Sequence, residues 1–266
     1  MLAYLNGSME SDAKISIYDE GLLYGLGVYE TLRVYERVAF RVKEHLLRLK
    51  ESAEEIGLQC PPTSIVEKAI RQTIEHNGLD QAALRVVLTA GSTSDWGQSS
   101  QSLIVMAKRL EAMPKTFKAV TVPFHRDVAK AKTLNCLTAV MARRHALAHQ
   151  ADEALFTFDG NVLEGTTSNL FIVRDNALCT PRKNVLEGIT RNAVLDLAKS
   201  QGIRVCEEPI SIENLYQVDE AFLTSTLKEV VPLSEVDGKH IPEGPMAQQL
   251  HASFSKRVRD EIQGKK

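Results

Sequence analysis

Cysteine is scarce in this 266-residue chain: Cys60, Cys136, Cys179 and Cys206 are scattered, and no two stand in CxxC spacing. That excludes the ligand sets of zinc ribbons and the dense staples of small secreted domains, so the thiols are expected to be reduced and no metal site is expected. An excess of either charge is lacking too. Lys+Arg 32 against Asp+Glu 34 gives a formal net charge of -2. With no polybasic tract or acidic tail, neither nucleic acid nor a membrane surface is an expected partner. No apolar run approaches a membrane span, and Asn6, Gly7 and Glu10 interrupt the N-terminus where a signal peptide needs its apolar core. These absences leave, as the expectation, a cytoplasmic protein that works on small molecules.

What is present reads as two halves that both mix helices and strands. At 266 residues the chain can form one large domain or two smaller ones. Residues 15–18 and 28–35 predict strands, with Gly21, Gly25 and Gly27 as turn and close-approach residues between them. Leu46, Leu47, Leu49, Ala53 and Ile56 suit one face of a helix ending at Gly57, and Ile65, Ala69, Ile70 and Ile74 suit another ending near Gly78. The short apolar runs 84–88 and 103–107 predict buried strands. Periodicity fails at Pro114, which places a linker at 113–118 between an N-terminal α/β domain, 1–112, and a C-terminal domain, 119–266. Beyond it the pattern predicts helices over 137–147, 190–200 and 245–262, strands over 154–158, 169–173, 205–209 and 221–224, and a turn at Asp159-Gly160.

Candidate chemistry sits at the ends of these elements. Gly188-Ile189-Thr190-Arg191 precedes the helical spacing Val194, Leu195, Leu197, Ala198, so its amides stand at a helix start, where orphan donors and the dipole attract an anion such as phosphate. The same residues also suit an ordinary turn with Thr190 as N-cap. Thr224-Ser225-Thr226 offers three hydroxyls at a strand end, and Arg48 a guanidinium for a phosphate dianion, although ordinary loops and helix surfaces carry such groups as well. Glu164, at a strand end before Gly165, places a carboxylate where it can hold a protonated ring nitrogen. Gly25-Leu26-Gly27 lacks the third glycine of a dinucleotide fingerprint and runs into β-formers, which sets a nicotinamide cofactor aside. Most single lysines are solvated surface charges. Lys132, in Ala131-Lys132-Thr133-Leu134-Asn135, stands out by the Glu164 and Gly188 segments that follow it, as a candidate cofactor-bearing amine.

Taken in order, seven segments resemble the class IV aminotransferase family, the fold-type IV pyridoxal-phosphate enzymes that include branched-chain and D-amino-acid transaminases and aminodeoxychorismate lyase. They begin with Leu23-Tyr24-Gly25, Gly27-Val28-Tyr29-Glu30 and Glu44-His45-Leu46-Leu47-Arg48-Leu49. Lys132-Thr133-Leu134-Asn135, Glu164-Gly165-Thr166-Thr167-Ser168-Asn169-Leu170-Phe171, Gly188-Ile189-Thr190-Arg191 and Asp219-Glu220-Ala221-Phe222-Leu223-Thr224-Ser225-Thr226 complete the set. The resemblance covers nearly the whole chain. It implies an α/β (α+β) two-domain fold, with a smaller N-terminal α/β domain and a larger C-terminal pseudo-barrel domain, assembled as a homodimer. It further implies pyridoxal 5'-phosphate carried by Lys132 as a Schiff base, with Glu164 on the pyridinium nitrogen and Leu186 against the ring. Arg48, Gly188, Ile189, Thr190, Ser225 and Thr226 would surround the phosphate, and Tyr24, Tyr29, Arg33 and Arg85 would line the substrate pocket.

Within that family, the segment from Thr224 to Glu229 and the threonine of Gly188-Ile189-Thr190-Arg191 look more like transaminases than the lyase. An aminotransferase acting between a small amino acid and a 2-oxo acid is therefore the expectation. The 4-amino-4-deoxychorismate lyase comes next, and a non-catalytic pyridoxal-phosphate-binding protein third. Thr166-Thr167-Ser168-Asn169 differs from the Gly-Glu-Asn of typical branched-chain enzymes, and Cys136 replaces an aromatic that many of them carry. Ala90-Gly91 lacks the arginine that D-amino-acid transaminases place before that glycine, which argues against D-alanine. Retention of both Lys132 and Glu164 argues against a mere binder, which needs no electron sink.

Overall fold

The computed structural model describes residues 1–92 and 100–264, and the last two residues of the expected 119–266 domain lie outside the described residues. The chain divides into two compact units, one of Met1–Glu111, Lys130–Cys136 and Glu261–Lys266, the other of Ala112–Ala129 and Leu137–Asp260.

In the first unit β1 (Ala3–Leu5), β2 (Ser8–Glu10), α1 (Glu20–Leu23), β3 (Gly27–Tyr35), β4 (Val38–Ala39), α2 (Val42–Glu55), α3 (Thr63–Asn77), β5 (Gln81–Ser92) and β6 (Ser100–Arg109) follow one another. The strands form one sheet in the order β2-β1-β6-β5-β3-β4. Strand alternation decides its two faces: Val28, Glu30, Leu32 and Val34 are buried on one, and Tyr29, Thr31 and Arg33 point to the other. On α2 the buried residues Leu46, Leu49 and Ala53 recur at helical spacing, and on α3 Val66, Ala69, Ile70 and Ile74 do so, joining Leu32, Leu84 and Val105 in one core. Leu47 and Ile65, expected on these faces, are instead exposed at 56% and 45%, and the buried stripe of α3 starts one residue later. The helix α3 ends as its glycine predicts, with Gly78 at φ +58.

Two expectations fail here. Residues 15–18 form no strand, because none of the described residues pairs with them in a ladder; Ile17 and Tyr18 are exposed. The boundary at 113–118 assigned Lys132 to the second domain, whereas segment 130–136 is a strap held on the first unit's sheet. Its Thr133 bridges Val28, and Leu134 N–H donates to Gly27 O at 2.8 Å. These contacts join positions about a hundred residues apart, beyond the reach of any local pattern.

The second unit holds β7 (Phe117–Val122), α4 (Leu137–Ala148), β8 (Glu153–Phe158), β9 (Asn161–Gly165), β10 (Asn169–Arg174), β11 (Ala177–Thr180), α5 (Ile189–Ser200), β12 (Arg204–Glu207), β13 (Ile210–Ser211), α6 (Ile212–Leu215), β14 (Glu220–Ser225), β15 (Glu229–Val236), β16 (Lys239–His240) and α7 (Pro245–Gln263). Since β9 pairs with both β8 and β10, the strands β9-β10-β14-β15-β7-β8 close into a barrel. Phe117, Leu155, Val162, Leu170, Leu223 and Leu233 build its core. The expected Asp159-Gly160 turn joins β8 to β9, whose end carries Glu164 as expected although the pattern gave that strand no start, and the expected linker runs into β7 at Phe117. Parallel β11 and β12 set Cys179 opposite Cys206; burial and the neighbouring thiol push Cys179 up to about 12, so it stays protonated at neutral pH. No described helix is long and apolar enough to cross a membrane.

Gly27 is the tightest point under the strap: a Cβ there would lie 2.6 Å from Leu134 Cδ1 and 2.7 Å from Leu88 O. Gly27→Ala should therefore lower stability by about 1–3 kcal/mol, read as a lower urea midpoint; an unchanged midpoint would show that the strap is not seated on β3.

Candidate active site

The strap fixes Lys132 through its backbone. Tyr29 N–H donates to Lys132 O at 2.9 Å, and Lys132 N–H donates to Ser52 Oγ, on α2, at 3.1 Å. With the main chain held at both polar groups, the Lys132 amine lies 4.5 Å from the centre of the Tyr29 ring. The Arg85 guanidinium stacks on the same ring at 4.0 Å. Register puts Tyr29 opposite Val87, Thr31 opposite Arg85 and Arg33 opposite Ala83, so Tyr29, Arg33 and Arg85 share one face of the sheet. Three of the expected residues, Lys132, Tyr29 and Arg85, are thus in one cluster, with Arg33 further along the same face and stacked on Tyr35 at 4.6 Å. Tyr24 is placed differently, at the C-cap of α1 and 63% exposed.

On the opposite face Glu30 is fully buried, with both oxygens engaged. Arg48 reaches it bidentately, Nε to Oε1 at 2.6 Å and Nη2 to Oε2 at 2.9 Å, and His45 Nδ1 lies 2.7 Å from Oε2. Arg48 therefore turns inward from α2 rather than out to solvent as a lone helix arginine would. Burial by itself would raise the Glu30 carboxyl, but the Arg48 guanidinium and His45 outweigh it and hold the group at about 2. Burial lowers His45, with Glu30 opposing, so the imidazole is neutral and its Nδ1–H donates to the carboxylate.

In the second unit Glu164 is buried where the barrel closes. Its Oε1 accepts from Arg126 Nε at 2.6 Å, and its Oε2 accepts from Asn169 Nδ2 and from Leu186 N–H, both at 3.2 Å. Asn169 Nδ2 also donates to Leu186 O at 2.8 Å, which ties the Leu186 backbone to the carboxylate. A Cβ on Gly188 would fall 2.0 Å from Asn169 Oδ1, so only glycine fits beside that amide. The helix α5 starts there without a side-chain cap on Gly188, so the first-turn amides of Ile189 and Thr190 keep the anion-binding character of a helix start. Asn169 pairs with Thr224 across β10 and β14, and Thr224 Oγ1 is buried without a hydrogen-bond partner. An orphan buried hydroxyl costs about 1–3 kcal/mol, a cost that an oxyanion would remove. Buried carboxylate, uncapped helix start and orphan hydroxyl fit a phosphorylated ring base with a protonated nitrogen. Ser225 Oγ, next along, accepts Lys228 N–H at 3.2 Å.

The residues missed from sequence are the partners of these groups. Arg126 and Ser52 are set by tertiary contact and had no signal, whereas Glu30, Asn169 and Thr224 stood in segments that the sequence singled out, Thr224 already as a hydroxyl suited to an anion.

The model of the family described as amino-transferase class IV matches residues 27–236. A relative from Methanocaldococcus jannaschii, provisionally named a branched-chain-amino-acid aminotransferase, is 39% identical over 259 residues, covering 91% of this chain and 90% of its own. The D-alanine aminotransferase of Staphylococcus epidermidis is 30% identical over 274 residues, with 96% of this chain and 97% of its own covered. Among solved structures, the branched-chain aminotransferase of the thermophilic archaeon Thermoproteus uzoniensis with norvaline superposes with a TM-score of 0.91 at 32% identity, over 97% of this chain and 94% of that one.

Acid should expose the buried cluster. Because Glu30 is held at about 2 against an ordinary 4.5, the unfolded chain takes up this proton first as pH falls. The stability it contributes is complete above its ordinary value and drains away towards its folded one, about 3 kcal/mol in all. His45, also lowered, takes up its proton more readily when unfolded and destabilises in the same direction, from its ordinary 6.5 downward. Urea unfolding of wild type and Glu30→Gln at a series of acidic pH values should show the steeper loss in wild type; parallel profiles would contradict the assignment.

Proposed function

Because the chain belongs to the class IV aminotransferase family and is a transaminase, we propose that it moves an amino group between a small amino acid and a 2-oxo acid, using pyridoxal 5'-phosphate held covalently by Lys132. The observation that carries this reading is the second unit's cradle: the buried ion pair of Glu164 with Arg126, beside the uncapped start of α5 and the orphan Thr224 hydroxyl. A similar branched-chain amino acid aminotransferase solved with pyridoxamine 5'-phosphate supports the same group. When bound, pyridoxal phosphate supplies an electron sink for the pair left as the substrate Cα proton departs.

Each residue then has a distinct task. Lys132, pinned through Ser52 and Tyr29, presents its amine as the group that holds the cofactor aldehyde and moves the proton at the substrate carbon. Glu164 keeps the proton on the ring nitrogen, and Leu186, its backbone tied to that carboxylate, sets an apolar side chain against the ring. Gly188, Ile189, Thr190, Ser225, Thr226 and Arg48 hold the phosphate. For Arg48 this means binding an anion while its Nε and Nη2 stay on Glu30, a geometry a planar guanidinium permits. Tyr29 and Arg85, with Arg33 on the same sheet face, take the substrate, where the arginines suit its carboxylate. Tyr24 joins them only if a second subunit covers the segment that carries it. The exposed Ile17, Tyr18, Leu22 and Leu23 of that segment support a homodimer, and the reading places the enzyme in the cytoplasm.

The holoprotein should be yellow and fixed by borohydride, with the label on Lys132 in a peptide mass map, and Lys132→Ala should take no label. Single L- and D-amino acids should discharge the colour in a half-reaction without a 2-oxo acid present. No half-reaction with any amino acid, together with pyruvate release from aminodeoxychorismate, would replace transamination by the lyase reaction. Glu164→Gln should keep the colour and lose kcat by about 100-fold or more.

A further inference from the structure

Glu153 opens β8 with its side chain fully buried, and the activity proposed above leaves it without a task. Its Oε1 accepts from Ala154 N–H and Thr166 N–H, each at 3.2 Å, and from the Thr166 hydroxyl. Its Oε2 accepts from Ser168 Oγ at 3.1 Å and from Lys228 Nζ at 2.5 Å, and Lys228 Nζ also donates to Thr167 Oγ1 at 2.9 Å. Arg143, on α4, stands 3.9 Å away. Burial by itself would raise this carboxyl, but Lys228 outweighs it and the group is lowered, hence ionised. A buried ion pair is poor evidence of stabilisation, since apolar residues of the same volume often serve as well.

The location of the pair suggests another role. Residues 166–168 connect β9 to β10, and Lys228 lies between β14 and β15. Since β8/β9, β9/β10, β10/β14 and β14/β15 are all antiparallel, the start of β8 and both of these connections lie at the same end of the barrel. Around the ring, β10 and β14 separate β9 from β15 on one side, and β7 separates β15 from β8 on the other. The pair therefore spans the barrel end instead of following a ladder. Glu164 directly precedes one connection, and Thr224 and Ser225 directly precede the other, with Ser225 Oγ already accepting Lys228 N–H.

We propose that the Glu153–Lys228 pair is a positioning brace that sets the distance between the Glu164 carboxylate and the Thr224–Ser225 hydroxyls to match the ring nitrogen and phosphate of one rigid cofactor. The inference rests on the cofactor reading above. Its physical content is that two donor sets on separate connections bind one ligand cooperatively only at the correct spacing. Losing the brace removes the extra affinity that the phosphate confers and leaves the ring end of the site able to bind.

Apoprotein is titrated with pyridoxal 5'-phosphate and with pyridoxal, which lacks the phosphate, following the absorbance of each. Four proteins are compared: wild type, Lys228→Met, Lys228→Arg and the double variant Glu153→Gln/Lys228→Met, which leaves no charge buried and so remains foldable if the single variant is not. Wild type should prefer the phosphorylated form strongly. In Lys228→Met and in the double variant that preference should fall by about tenfold, the scale on which outer partners tune a binding site, while affinity for pyridoxal changes little. Lys228→Arg should restore most of it. Equal preference in all folded variants, with only the thermal midpoint lowered, would overturn the brace and leave a purely structural pair. A wild type that binds neither aldehyde would instead overturn the cofactor reading itself.

Discussion

One antiparallel pair, Glu164 opposite Asn169, closes the barrel, and the second unit's chemistry depends on it. Closure leaves the six ring strands without a free edge, but here it also draws a carboxylate into the interior. That burial is tolerable because Arg126, Asn169 and the Leu186 amide satisfy both oxygens. The same asparagine bonds the Leu186 carbonyl and excludes any side chain at Gly188, so the Glu164 carboxylate and the start of α5 are set by a single residue.

The first unit solves a different problem, that of presenting a flexible amine in a defined place. A lysine side chain has several rotatable bonds and about 2 kcal/mol of rotamer entropy, so precision has to come from its surroundings. Here the main chain of Lys132 is fixed at both polar groups, by Ser52 on a helix and Tyr29 on a strand. Those elements are locked together from beneath by Glu30, Arg48 and His45. Removing one partner from such a buried cluster leaves an uncompensated charge, which costs far more than the net worth of the pair.

Much of this was legible locally. The helices over 42–55, 63–77 and 189–200 and the strands over 27–35 and 169–174 follow from period and from glycine or proline punctuation, to within a few residues. Other elements stayed hidden for physical reasons. The strand β15 contains Pro232, which reads as a breaker yet sits opposite Phe222 in the ladder. Ala177–Thr180 is too short for alternation to register. Residues 15–18 are rich in β-formers but find no partner strand among the described residues, and a strand exists only by pairing.

By itself, the order of residues determined the family and the mixed α/β build, and it singled out Lys132, Glu164 and the Gly188 segment as candidates, because each is a local pattern of spacing and residue type. The tertiary structure alone decided that the Lys132 strap belongs with the first unit's sheet and that Arg48 turns inward to Glu30. It likewise decided that Arg126 and Asn169 hold Glu164, and that Glu153 spans the barrel end to Lys228. Most of these are electrostatic or hydrogen-bonded contacts between residues far apart in the chain, such as Glu153 and Lys228 with a separation of 75. Side-chain periodicity carries information over a few residues, whereas such contacts arise only once the chain has brought distant elements together.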